Sequence, residues 1–385
     1  MRVRKGVGSG IVLITMLWVW PTIGLGFERQ IKIGGLIQND WSAGEGDDGL
    51  RALVGELEDG TEFRRARLWV SGKVHERIAY KAQYDFASGV PSFKDVYIEL
   101  IGIPALGGLR VGQFKEPFSF EELISGSQIS VLEHSVAHAF TPSHNTGIAL
   151  FNTWEDQRIT ATAGVFREDD GFGKSTGDGE YNFTARLTGL PWFDDGKGLV
   201  HFGAAVSRRD PADDMVRYSQ RPSQHLAPRF VDTRAIAGVD AAVLAGFEFA
   251  AVYGPVPIQA EYLSSHLDAP SVDDPSFNGY YIQIGAYLTG EHQAYKKSAA
   301  VFDRTQPRSD WASENNGVGA IQVIARFSRV DLSDGIVTGG EMEDIVFGLN
   351  WLLNPYARIM VNYMHANLLG VGNADGVSTR IQVDF

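Results

Sequence analysis

The chain contains no cysteine. That excludes a disulfide scaffold, thiolate metal sites and cysteine nucleophiles. It also has no excess of positive charge: 34 lysines and arginines stand against 47 aspartates and glutamates, for a formal charge of −13. A nucleic-acid partner, which needs a basic stripe, is excluded on that balance. No P-loop, dinucleotide fingerprint or nucleophile elbow occurs. We therefore assign no cofactor and no catalytic residue, and expect no enzyme. Beyond its first segment the chain lacks any apolar run long enough for a spanning helix. The mean hydropathy of −0.11 rules out a helical membrane bundle. It leaves a membrane barrel open, because such a barrel is apolar at only every second residue.

The start of the chain reads as an address. Arg2, Arg4 and Lys5 precede the ten-residue uncharged run Ile11 to Trp20, apolar except for Thr15, with Pro21, Gly24 and Gly26 after it. This order predicts a secretory leader over residues 1–26, cut after Gly26, with the barrel domain over 27–385. Three positive charges and no acids leave with the leader, so −13 becomes −16.

The remainder alternates with period two in segments of about ten residues, separated by Gly, Asp, Asn and Pro. In 181–187, Tyr181, Phe183, Ala185 and Leu187 alternate with Asn182, Thr184 and Arg186. The segments 321–328, 344–351 and 357–363 repeat the pattern, and the apolar faces end in aromatics. Aromatic ends suit the headgroup level of a bilayer. Sixteen candidate strands result: 28–41, 61–74, 77–88, 93–101, 107–115, 143–153, 158–168, 179–190, 199–208, 243–254, 256–268, 277–290, 317–330, 341–353, 356–368 and 376–385. Short connections such as 254–255 alternate with long ones such as 42–60, 116–142, 210–242 and 290–316. The fold class expected is all-β: a closed antiparallel transmembrane β-barrel of 16 strands, with short periplasmic turns opposite long external loops. The last strand steps back by twos from Phe385 through Val383, Ile381, Thr379 and Val377. A terminal phenylalanine behind such a strand resembles the assembly signal of bacterial outer-membrane proteins, and Phe385 is assigned that role.

Several stretches carry a closer resemblance. They include Phe63–Arg64–Arg65–Ala66, the run from Gly112 to Ser119 with Glu121–Glu122–Leu123, and Leu132–Glu133–His134–Ser135. Tyr280–Tyr281, Leu288–Thr289–Gly290–Glu291 and Gly348–Leu349–Asn350–Trp351 follow, with Leu353–Asn354–Pro355 behind them. In this order they resemble the phosphate-selective porin O and P family along the mature chain. The resemblance implies a homotrimer in the bacterial outer membrane, bounded by lipid bilayer and lipopolysaccharide. It implies a third loop, here 116–142, folded inward as a constriction and holding Phe118, Phe120, Glu121, Glu133 and His134. It also implies conduction of small inorganic anions, phosphate or similar, past basic wall residues.

Strand parity assigns the inward charges independently. Lys32, Arg65, Arg67, Lys81, Arg110, Arg186, Arg326, Arg358 and Arg380 are basic; Asp85, Glu99, Glu248, Glu261, Asp344 and Asp384 are acidic. A mildly basic wall thus sits inside an acidic protein, and selectivity depends on the field in the narrow part. The anion path expected is Arg65, Arg67, Lys81, Arg110, Lys115, Arg186, Arg326 and Arg358. Arg65 and Arg67 point the same way, about 7 Å apart along one strand. Arg64 points the other way by parity, so either it lies beyond the apolar belt or a bulge changes the phase. Lys296, Lys297 and Arg304 are expected to guide anions at the mouth.

The chain departs from the family at His134, where members favour arginine, and near His144–Asn145, where they favour basic residues. Glu116, Glu121, Glu122 and Glu133 add acid to the constriction. An anion-guiding pore, a non-selective general porin, and a plugged barrel with a surface-binding or structural role all stay open. His134 and His138 have the spacing of two ligands on a helix face. Without cysteine or a further ligand cluster, no metal site is assigned.

Overall fold

The computed structural model describes residues 27–87, 89–177, 180–312 and 317–385. The expected leader, 1–26, lies outside the described residues. Sixteen antiparallel strands close one barrel. In chain order they are β1 (Gln30–Gly46), β2 (Gly60–His75), β3 (Ile78–Asp85), β4 (Ser92–Ile103), β5 (Gly107–Lys115), β6 (His144–Trp154), β7 (Ile159–Arg167) and β8 (Asn182–Asp194). The second half comprises β9 (Gly198–Arg209), β10 (Ala241–Tyr253), β11 (Val256–Asp268), β12 (Ser276–Tyr287), β13 (Ala320–Asp334), β14 (Val337–Asn354), β15 (Ala357–Leu368) and β16 (Gly372–Asp384). Each falls on a segment expected from alternation.

Closure joins the two ends of the chain. β1 pairs with β16 from Leu36 opposite Asp384 to Gly46 opposite Ala374. Phe385 then exchanges both backbone hydrogen bonds with Gly35, at 2.8 and 3.0 Å. A Cβ at position 35 would come within 2.3 Å of the Phe385 ring. Glycine there lets the last aromatic lie against the first strand.

The barrel is inside out relative to a soluble fold. Phe183, Leu187, Phe247, Ile282, Phe347, Leu349, Val377 and Ile381 face outward and are exposed. Their strand neighbours Thr184, Arg186, Ser328, Asp344, Asn350 and Arg380 are buried inside. Left in water, each outward Leu, Ile or Phe would forgo about 1.5–3 kcal/mol, so this surface requires lipid. At the end that carries both termini, Trp154, Trp192, Tyr253, Tyr356 and Phe385 are exposed beside the short turns. They form one interfacial aromatic belt.

One connection breaks the expected alternation of turns and loops. Residues 288–319 link β12 to β13 at the terminus end, where every other connection is short. Long loops on that side were not expected, and Lys296, Lys297 and Arg304 do not lie at the opposite mouth. Instead this segment folds into the lumen. Its ribbon of Tyr295–Lys296 with Val301–Phe302 pairs its own backbone, and Arg304 bonds Asp384 of β16 at 2.5 Å. The connections 335–336 and 369–371, on the long-loop side, are correspondingly short. Parity alone explains the surprise: an even-numbered strand feeding an odd-numbered one must turn at the terminus end.

Placing Arg at Phe347 should cost about 2–4 kcal/mol if that position lies near the bilayer midplane. Urea unfolding of the folded barrel in phospholipid vesicles measures it. An unchanged unfolding midpoint would remove that face from the lipid.

Candidate functional site: the constriction

Loop 116–143 leaves β5 and turns into the barrel, as expected. Its entry depends on backbone that only glycine adopts easily. Gly112 has φ +134°, and a Cβ there would sit 2.3 Å from the Val96 carbonyl oxygen of β4. At the hinge, Glu116 is fully buried and accepts from Asn145 Nδ2 (2.6 Å), Thr184 Oγ1 (2.5 Å) and Arg209 Nη1 (3.1 Å). Three donors on three strands therefore satisfy the carboxylate.

The loop begins with a helical turn, Phe120–Leu123, whose first peptide groups point at the far wall. The N–H groups of Phe120 and Glu121 donate to the two carboxylate oxygens of Glu261 on β11, at 2.9 and 2.7 Å. Ser119 Oγ caps the same turn, accepting from the Glu122 N–H at 3.2 Å. Phe118 and Phe120 are completely buried. Phe120 meets the Phe302 ring edge-on at 5.0 Å, so the constriction touches the loop that enters from the opposite end.

From residue 126 to 134 the loop has no regular structure, and the wall supplies its hydrogen bonds. Gln38 Nε2 donates to the Gly126 carbonyl (3.0 Å), Gln382 Nε2 to Ser127 (3.0 Å) and Arg358 to Ile129 (2.9 Å). Asn350 donates to Ser130 (2.8 Å), Arg380 to Leu132 (2.7 Å) and Arg326 to Glu133 (2.9 Å). The loop's carboxylates are held in the same way. Arg326 reaches Glu121 at 3.1 Å. Glu133 takes both arms of Arg64 at 2.8 Å and Arg380 at 3.0 Å. Burial pushes the Glu133 carboxyl up, but Arg64, Arg380 and Arg65 hold it well below the usual range.

Arg64 faces inward because β2 carries a β-bulge. The register passes from Gln38 opposite Arg65 to Asn39 opposite Phe63, leaving Arg64 as the extra residue. This is the bulge alternative raised by the sequence. A second bulge on β4 leaves Lys94 and Asp95 opposite Gln83, between the pairs Ala82–Val96 and Tyr84–Phe93. Asp95 meets Lys81 at 2.6 Å. Strict parity missed Arg64, Lys94 and Asp95, since a bulge shifts the face by one residue.

The expected path residues separate into two groups. Arg186, Arg326 and Arg358 lie on the side filled by the loops. Arg186 is 5% exposed and bonds Glu248 at 2.7 Å, and Arg326 is fully covered. Arg358 donates to Gln382 as well as Ile129. On the other side, β2 to β5, the side chains remain in contact with the lumen. Arg67 is 14% exposed, Lys81 26%, Arg110 33% and Lys115 20%. Arg67 pairs with Asp85 (2.7 Å) and Arg110 with Glu99 (2.6 Å). The Arg110 guanidinium also lies 4.5 Å from the centre of the Tyr97 ring. Lys115 Nζ bonds the Glu122 and Ile124 carbonyls and stands 3.5 Å from the Glu122 carboxylate. Arg65 is buried against Gln38 at 2.8 Å. Among the described residues, neither Arg65 nor Lys94 has a carboxylate in salt-bridge contact.

His134 and His138 come together with ring centres 4.2 Å apart, but not on one helix face, since His134 precedes the 3-10 turn Val136–Phe140. Glu122, from the other half of the loop, joins them. Nothing in the local sequence pattern linked that glutamate to the histidines.

The profile described as phosphate-selective porin O and P matches residues 31–385. Porin O of Pseudomonas aeruginosa is 27% identical over 405 aligned positions, covering 93% of this chain and 89% of that protein. Among solved structures, OprB of Pseudomonas putida at high pH superposes with a TM-score of 0.58 at 8% identity, covering 93% of this chain and 94% of that one. The in-vitro folded trimer form of OmpT from Vibrio cholerae gives 0.53 at 12% identity, over 92% of this chain and 99% of that one. The two structures speak for the fold; the profile and Porin O speak for descent. A lipid-faced barrel of sixteen strands with a polar, loop-narrowed lumen is thus an outer-membrane porin, and the chain belongs to the phosphate-selective porin O and P family.

Proposed function

We propose that this protein is a passive diffusion channel for small anions such as phosphate, with the path along β2 to β5. The observation that carries this reading is that two cations on this wall, Arg65 on β2 and Lys94 on β4, have no carboxylate in salt-bridge contact among the described residues. Around them the wall charges are matched: Arg67 with Asp85, Lys81 with Asp95, Arg110 with Glu99. A matched pair leaves mainly a dipole, so the unmatched charges set the sign of the field in a narrow pore. Arg67, Lys81, Arg110 and Lys115 then offer successive donors that an oxyanion can engage while crossing. Arg186, Arg326 and Arg358 hold the loops in place and act on the path through them. No chemistry on the solute is required.

The general, weakly selective pore is the second reading, and the same ion pairs favour it. Their carboxylates offer a cation its own route past the arginines. We further propose assembly as a trimer with the long-loop end among lipopolysaccharide, a reading supported by the family resemblance.

Reconstituted in a planar bilayer under a KCl gradient, the protein should give a reversal potential favouring chloride over potassium. A cation-selective reversal would overturn the anion reading and leave the pore. Lys94→Glu should reduce or invert the preference, more strongly at 0.1 M than at 1 M salt, because the screening length falls from about 10 to about 3 Å. Equal selectivity in the variant and the parent would take Lys94 out of the path.

A further inference from the structure

We propose that Glu122, His134 and His138 form a site for a divalent transition-metal cation of the zinc or copper class, set into the constriction. One ligand atom from each residue lies within 4.8 Å of the other two. His138 Nε2 stands 2.8 Å from Glu122 Oε2 and 3.1 Å from His134 Nδ1, and His134 Nδ1 stands 3.7 Å from Glu122 Oε2. Ligands on a tetrahedral zinc at 2.0–2.1 Å are separated by about 3.3 Å, so the three observed distances bracket the required one. Two imidazoles and a carboxylate are a donor set suited to zinc or copper, in preference to magnesium or calcium.

With His138 Nε2 deprotonated, three lone pairs converge on one point and one metal ion engages them all; without a metal, the His138 Nε2 proton lies between Glu122 Oε2 and His134 Nδ1.

Glu122 and His138 are held by their surroundings, whereas His134 Nε2 is buried without a hydrogen-bond partner. Glu122 lies within a capped helical turn, and its other oxygen accepts from Ser143 Oγ at 2.8 Å. His138 lies in the 3-10 turn Val136–Phe140. The two halves are tied by the Ser135 N–H donating to Glu121 Oε2 at 2.9 Å. Outer partners that orient a carboxylate ligand in this way are part of a working metal site. His134 and His138 also line a cavity of about 190 Å3, with Arg64, Glu133, Arg221 and His225 among its other walls. That space admits a fourth ligand. Lys115, 3.5 Å from Glu122, opposes a bare cation. One carboxylate leaves a divalent ion with a net single positive charge, so the surrounding arginines select an anion, chloride or phosphate, as the fourth ligand. The bound metal would staple the start of the constriction loop to its end and add positive charge beside the path.

The test uses the full mature barrel, folded in detergent and stripped with a chelator. Cu2+ added at one equivalent per chain should give an electron paramagnetic resonance spectrum with coupling to two nitrogens. Calorimetric titration with Zn2+ should show one site per chain. His134→Ala with His138→Ala should abolish both, and His266→Ala, on the exposed end of β11, should change neither. Ser143→Ala keeps all three ligands and should weaken Zn2+ binding about tenfold. An unmodified barrel without the two-nitrogen spectrum overturns the proposal, whether or not the double variant folds. A spectrum that survives in a folded double variant does the same.

Discussion

The structure depends on a row of wall side chains that donate into the backbone of an irregular loop. A nine-residue stretch without helix or strand cannot lie in a barrel lumen unless its carbonyl groups find partners. Gln38, Gln382, Arg358, Asn350, Arg380 and Arg326 provide them, from strands at opposite ends of the chain. Each buried carbonyl left without a donor would cost about 1–3 kcal/mol. Much of the inward polar face of β13 to β16 and β1 thus holds residues 126–134 against the wall, while Asp344 and Asp384 hold Ser223 and Arg304 of the other two loops. The buried pairs Arg380–Asp40 and Arg326–Glu121 serve the same end.

This packing makes the lumen asymmetric. Loops 116–143, 210–240 and 288–319 fill the side of the later strands. Tyr218 joins the second to the first through the Phe140 ring at 5.2 Å, and Phe302 joins the third to it through Phe120. On the side of β2 to β5, Arg67, Lys81, Arg110 and Lys115 keep part of their surface exposed. Chemically similar arginines therefore do different work according to which side they occupy. Arg326 is enclosed by loop carbonyls, whereas Arg110 is a third exposed and stacks on Tyr97. The two β-bulges concentrate charge on the β2 to β5 side, turning Arg64, Lys94 and Asp95 inward beside residues that already faced that way.

Sequence by itself determined the barrel: the strand segments, their number, the lipid and lumen faces, and closure through the last strand to Phe385. The reason is that alternation with period two is local, and a bilayer outside with water inside demands it of every strand. The inward turn of loop 116–142 was legible only through resemblance. Three things were decided by tertiary structure alone. Arg186, Arg326 and Arg358 became tethers and Arg67, Lys81 and Arg110 lumen residues, because the partner of an inward arginine lies on a distant segment. Residues 288–319 entered from the terminus end, because loop length does not say which way a loop folds. Glu122 met His134 and His138 because two halves of one loop are pressed together by the wall, and no periodicity records such a contact.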